Sequence, residues 1–146
     1  VTFGGDVVTP TDATFTGVSG TGSIGTVTVT GTGTGVNATF TVTVVSTGYG
    51  NKYYIDGVQQ ATVNLSEGST YRFDQSDSSN SGHPLRFSTT SNGTHGGGSE
   101  YTTGVTTNGT AGSSGAYTQI TVAVGAPTLY YYCTNHSGMG GQANTP

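Results

Sequence analysis

Several stretches of this chain place branched or aromatic residues at every second position, with Thr or another polar residue between them. They include Ile24-Gly25-Thr26-Val27-Thr28-Val29-Thr30, Thr39-Phe40-Thr41-Val42-Thr43-Val44 and Thr118-Gln119-Ile120-Thr121-Val122-Ala123-Val124. A repeat of two sorts side chains onto opposite faces of an extended strand, whereas a helix needs its apolar residues about one turn apart. No segment shows the helical spacing. Gly, Pro and an Asp-Gly turn signal separate the runs. The chain is therefore expected to be all-β.

The chemistry of the whole narrows this further. At 146 residues the expectation is one domain, or one domain with an appendage. Only 31% of residues are hydrophobic and 26 are glycine, the profile of thin β-layers joined by many turns. Charged residues make up 7%, too few for salt-bridge networks to hold the fold. A net charge of −4 with three basic residues leaves nothing to track a phosphate backbone or adhere to an anionic membrane, so no nucleic-acid partner is expected. No run is long enough to span a bilayer. The one cysteine rules out an internal disulfide. A start at Val-Thr-Phe-Gly-Gly-Asp reads as a processed product, an excised domain or a trimmed piece, and the scarcity of Lys and Glu fits an exported protein.

In chain order, residues 1–20 are irregular in pattern. Residues 24–30 and 39–44 then form a predicted hairpin across a Gly/Thr loop. Residues 1–48 are read as a Gly/Thr-rich β extension, either part of a sandwich or an assembly contact, because an isolated hairpin must pack on something. From Tyr49 the composition shifts to aromatics, and residues 49–146 are read as the main domain. Strands are expected over residues 52–56, 61–65 and 70–74, the last with Tyr71 and Phe73 inward. A polar tract, 75–82, delivers the chain to His83-Pro84-Leu85-Arg86-Phe87, where His83, Leu85 and Phe87 share a face. Residues 88–116 read as loops with one edge strand. Residues 118–124 form a strand with Ile120, Val122 and Val124 inward. In the final strand, 128–133, Leu129, Tyr131 and Cys133 face in, and Tyr130 and Tyr132 face out. The strand and turn count predicts a Greek-key β-sandwich with an N-terminal β-hairpin extension.

The last strand runs into Cys133-Thr134-Asn135-His136-Ser137-Gly138-Met139-Gly140-Gly141. The only cysteine, the only methionine and one of three histidines fall together there. Thiolate, imidazole and thioether form a soft donor set, suited to copper more than to zinc, calcium or magnesium. A strand delivers Cys133, and the loop after it can fold His136 and Met139 back to the same point. His83, also at a strand's mouth, is the candidate fourth ligand. His95, within Thr94-His95-Gly96-Gly97-Gly98, reads as a loop residue.

A distant His followed by Cys-x-x-His-x-x-Met at the end of a late strand resembles the type 1 (blue) copper site of the cupredoxins, amicyanin and plastocyanin among them. The resemblance implies His83, Cys133 and His136 as trigonal ligands, Met139 as a weak axial one, and one-electron transfer by a copper ion. It also implies departures. Pro84 follows His83 where many members have Asn, so a side-chain bridge between the ligand loops is missing. Asn135 precedes His136 where Pro is common, so the loop is less rigid. The Gly/Thr-rich N-terminal strands resemble, by composition alone, structural proteins of marine phages.

No carboxylate pairing, Gly-x-Ser-x-Gly elbow or His-Glu-x-x-His occurs, so a non-enzyme is expected. Two roles follow. One is an electron carrier with a redox protein partner. The other is a structural or adhesive domain contacting neighbouring subunits of a surface or virion assembly, with copper structural or absent. Either would act in an extracellular, periplasmic or virion-surface setting.

Overall fold

The alternation around Phe40 and Val42 becomes strand β1 (Ala38–Thr47) of the computed structural model, which describes residues 35–146. Val42 is fully buried, Phe40 and Val44 pack against the core, and Thr39 and Thr41 face solvent. The strand uses its two halves differently. Its first half pairs in parallel with β5 (Thr70–Asp74), and its second pairs antiparallel with β2 (Gly50–Ile55). The sheet runs β3-β2-β1-β5-β9-β8, with β3 at Val58–Gln59, β8 at Val105–Asn108 and β9 at Tyr117–Thr121. A second sheet runs β4-β11-β10-β6-β7, formed by Val63–Asn64, Gly141–Asn144, Leu129–Cys133, Leu85–Ser88 and Glu100–Tyr101 in that order. Both sheets are mixed, because β1–β5 and β4–β11 are parallel pairs.

The inner faces of the two sheets meet in one cluster, making the described part an all-β sandwich. Phe73 of β5 meets Phe87 of β6 edge-on, ring centroids 5.2 Å apart, and Leu85, Ile120, Leu129 and Tyr131 are fully or almost fully buried around them. Tyr53, Tyr71 and Tyr131 join the aliphatic residues of this core. Each of those phenols must then find a partner, since an unpaired buried hydroxyl is costly. Tyr53 donates to the His83 carbonyl at 2.7 Å and Tyr131 to the Ala61 carbonyl at 2.7 Å. Tyr71 accepts from the Ser66 amide at 2.8 Å.

The Asp-Gly turn signal is realised between β2 and β3. Asp56 and Gly57 both take positive φ, 49° and 81°, the two-residue hairpin turn whose twist matches its strands. Residues 24–30, the first strand of the expected hairpin, lie outside the described residues. Its second strand is β1, an interior member of the six-stranded sheet, and Val36–Pro146 form one compact unit.

Two orientations differ from the sequence expectation. Strand β9 ends at Thr121, and the chain turns at Gly125 (φ 75°), so Val124 is 86% exposed instead of core-facing. Tyr132 does lie opposite Tyr131 on β10, yet it is buried, because a 3₁₀ turn at Gly93–Gly96 folds over that outer face. Gly93 sits so close to the Tyr132 ring that a Cβ there would overlap it. Residues 88–116 hold two short strands, β7 and β8, each at the edge of a different sheet.

Candidate metal centre

Antiparallel pairing of β6 and β10 sets Cys133 opposite Leu85. His83 lies two residues before Leu85, so both strands bring a donor to the same end of the second sheet. Cys133 Sγ is 3.7 Å from His83 Nδ1 and 3.6 Å from His136 Nδ1. The donor atoms of the three residues all lie within 4.8 Å of one another, the one such group among the described residues. Cys133 is fully buried, His83 is 8% exposed, and His136 is exposed at the rim, its ring centroid 4.6 Å from that of His83.

These distances fit an ion. A metal bonded to a thiolate at about 2.3 Å and to an imidazole nitrogen at about 2.0 Å, with roughly 110–120° between the bonds, separates the two atoms by about 3.5–3.7 Å. The electrostatics favour ligation too. Burial first, then the neighbouring His136, holds the His83 imidazole below its ordinary range, in the neutral form that can bind a metal.

Acid sensitivity follows from that depression. An unfolded His83 takes up its proton near 6.5, while the folded one resists until lower pH. The unfolded state then binds more protons, so stability rises with pH through that window. Metal-free protein should therefore keep the full contribution above about 6.5 and lose it progressively as the pH falls below that. Urea unfolding at stepped pH should show this loss, and a His83→Gln variant should show a flatter profile.

The support behind His83 comes from residues that the sequence reading passed over as loop. Asp77 opens a 3₁₀ turn at Ser78–Asn80 by accepting from the Ser79 amide at 2.9 Å. Burial of Asn80 follows, and its Nδ2 donates to the Val42 carbonyl at 2.7 Å, tying the turn to β1. Gln75, 2% exposed, donates through Nε2 to Asn80 Oδ1 at 3.1 Å and to the His83 carbonyl at 2.8 Å. Its Oε1 accepts from the Leu85 amide at 2.9 Å. Tyr53 adds its hydroxyl to the same His83 carbonyl. Burial first, then the adjacent Cys133, pushes that phenol well above its ordinary range, so it remains a donor.

The two ligand loops are bridged, by a residue other than the one the resemblance emphasises. Asn135 Nδ2 donates to the Gly82 carbonyl at 2.9 Å, and the Thr134 amide to the Pro84 carbonyl at 3.1 Å. Asn135 thus supplies the side-chain cross-link that the Pro84 ring cannot, while the Pro84 carbonyl adds a backbone one. His95 lies in the 3₁₀ turn at Gly93–Gly96, outside the His–Cys–His group, and it also touches the site. Its Nε2 lies 2.9 Å from the Cys133 carbonyl, a contact in which the ring N–H donates. Met139 is 1% exposed within the same core cluster as Cys133, and its carbonyl accepts from the Tyr53 amide at 3.0 Å.

The class defined by fold and site is a two-sheet β-sandwich with a His–Cys–His group, able to hold a metal ion, at one end. No protein-family model, curated protein or solved structure matches the chain.

Proposed function

We propose that this chain is a cupredoxin-like mononuclear copper protein that carries one electron. His83, Cys133, His136 and Met139 would hold the copper. The observation that carries the reading is the pair of imidazole nitrogens, 3.6 and 3.7 Å from one buried cysteine sulfur. The donor set is soft sulfur and borderline nitrogen, with a methionine buried in the same cluster, which selects copper over hard cations. Copper bound there would supply a Cu(I)/Cu(II) couple.

The chain's own residues would do the rest. Cys133 gives up its proton on binding. Gln75, Tyr53 and Asn135 hold the flanking backbone in place, so the donors need move little between oxidation states, which keeps the barrier to electron transfer low. The exposed His136 edge, flanked by Ser137 and Gly138, is the side from which a redox protein partner could approach. With four side-chain donors engaged no position stays open for substrate, so the reading is a carrier and not an enzyme. The setting proposed is extracellular, periplasmic or on a virion surface.

Titration of metal-free protein with Cu(II) tests this. The expected result is one equivalent bound, intense visible thiolate-to-copper absorption and a reversible one-electron wave. Copper that raises the melting temperature without any reversible wave would shift the reading to a structural or adhesive domain stapled by metal. No uptake at all would remove the copper reading.

A further inference from the structure

Among the described residues, three that are not glycine take positive φ: Asp56, Gln60 and Asn92. Asp56 is explained by its hairpin turn. Gln60 (φ 45°) and Asn92 (φ 63°) are not, and glycine would adopt both angles without the Cβ clash. What an amide side chain adds at each position is a set of bonds to one short segment, the loop carrying His136 and Met139. Gln60 Nε2 donates to the Gly140 carbonyl at 2.7 Å and the Gly138 carbonyl at 3.2 Å. Asn92 Oδ1 accepts from the Gly138 amide at 2.8 Å, and its Nδ2 donates to Ser137 Oγ at 2.8 Å. Lys52, the chain's only lysine, donates to the same Gly138 carbonyl at 2.7 Å.

We propose that Gln60, Asn92 and Lys52 form a clamp that fixes the loop between His136 and Gly140 before any metal is bound, making them positioning residues for the site's methionine. Both peptide neighbours of Met139 are held from outside the loop, and the Tyr53 amide holds its own carbonyl. The bonds span 45 to 86 residues of sequence, so a segment with two glycines flanking its methionine is fixed by distant parts of the fold. Local strain retained where a side chain gains such bonds is the pattern expected of a site that must be preset. A recess of about 290 Å³ borders Gln60, Asn92 and Tyr130. Gln60 spends both of its amide hydrogens on the loop and Asn92 one of its two.

The role in metal binding rests on the copper reading above; the clamp itself does not. Amide hydrogen exchange in metal-free protein reads the clamp directly. In the wild type the Gly138 amide should be protected. Asn92→Gly, which keeps the backbone angle free of strain, should speed its exchange by about tenfold or more, and Asn92→Asp, which keeps the acceptor, should restore protection. Unchanged Gly138 exchange in Asn92→Gly, or an unprotected wild-type amide, overturns the clamp. With Cu(II), the Gln60→Gly/Asn92→Gly double variant should bind about tenfold or more weakly, with a shifted charge-transfer spectrum. Unaltered spectrum and affinity would overturn the positioning role. A wild type that takes up no copper would defeat the copper reading alone, and the exchange result would still decide the clamp.

Discussion

Replacing Cys133 with serine should abolish copper uptake and its colour while leaving the sandwich folded. The side chain is fully buried in the core cluster, and sulfur to oxygen is a small change in volume. A serine hydroxyl there can donate to one of the imidazoles that now face the sulfur, so the cost to stability should be about 1 kcal/mol or less. The cost to metal binding is of another order. A hydroxyl keeps its proton where a thiol releases it, and the site loses its one anionic donor. Changes to supporting residues alone typically cost about 10–100-fold in affinity, so loss of this ligand should exceed about 100-fold. Competition titration and visible absorption measure both effects. A colourless but tightly binding variant would mean that the metal is held without the sulfur.

The largest loss of stability should come from Gln75→Leu. The substitution nearly preserves volume but removes every polar contact the amide makes. The Leu85 amide loses its acceptor and Asn80 Oδ1 its donor, both inside the fold, while the His83 carbonyl keeps only Tyr53. Each orphaned buried group costs about 1–3 kcal/mol, so the variant should lose about 2–5 kcal/mol. For a domain whose total is about 5–15 kcal/mol, that is a large fraction. Urea unfolding should show a lower midpoint at unchanged slope. A loss below about 0.5 kcal/mol would mean that water or a shifted neighbour satisfies these groups as well as glutamine does.

The strands with strict alternation were legible in the chain. β5 occupies the expected residues 70–74 with Tyr71 and Phe73 inward, and β10 buries Leu129, Tyr131 and Cys133 as the pattern required. The cluster of His83, Cys133 and His136 was legible for a different reason. Scarce residue types at the mouths of inward-facing strands stand out in a chain in which Gly, Thr and Ser make up about half of the residues. What stayed hidden depends on contacts between distant segments. Period two places Tyr132 opposite Tyr131, but it cannot say that residues 93–96 will cover that side. Gln75 and Asn80 sit in a polar tract whose composition reads as solvent-facing loop, and only the 3₁₀ turn begun by Asp77 carries Asn80 inside. Asn135 showed as a departure from the resembled pattern, and its bond to Gly82 could not be read from one loop alone. The alternation through Val124 failed because Gly125 ends the strand geometry that gave the pattern its meaning.

Strand β1 belongs to a parallel ladder at its beginning and an antiparallel one at its end. Tension entering the sheet at Ala38 runs along the strand axis, across bonds that lie mostly transverse to it. Such bonds share the load instead of opening one after another. Under pulling, β1 should therefore come away in a single rupture and not peel, and the turn anchored to it through Asn80 would be torn from its place in the same event.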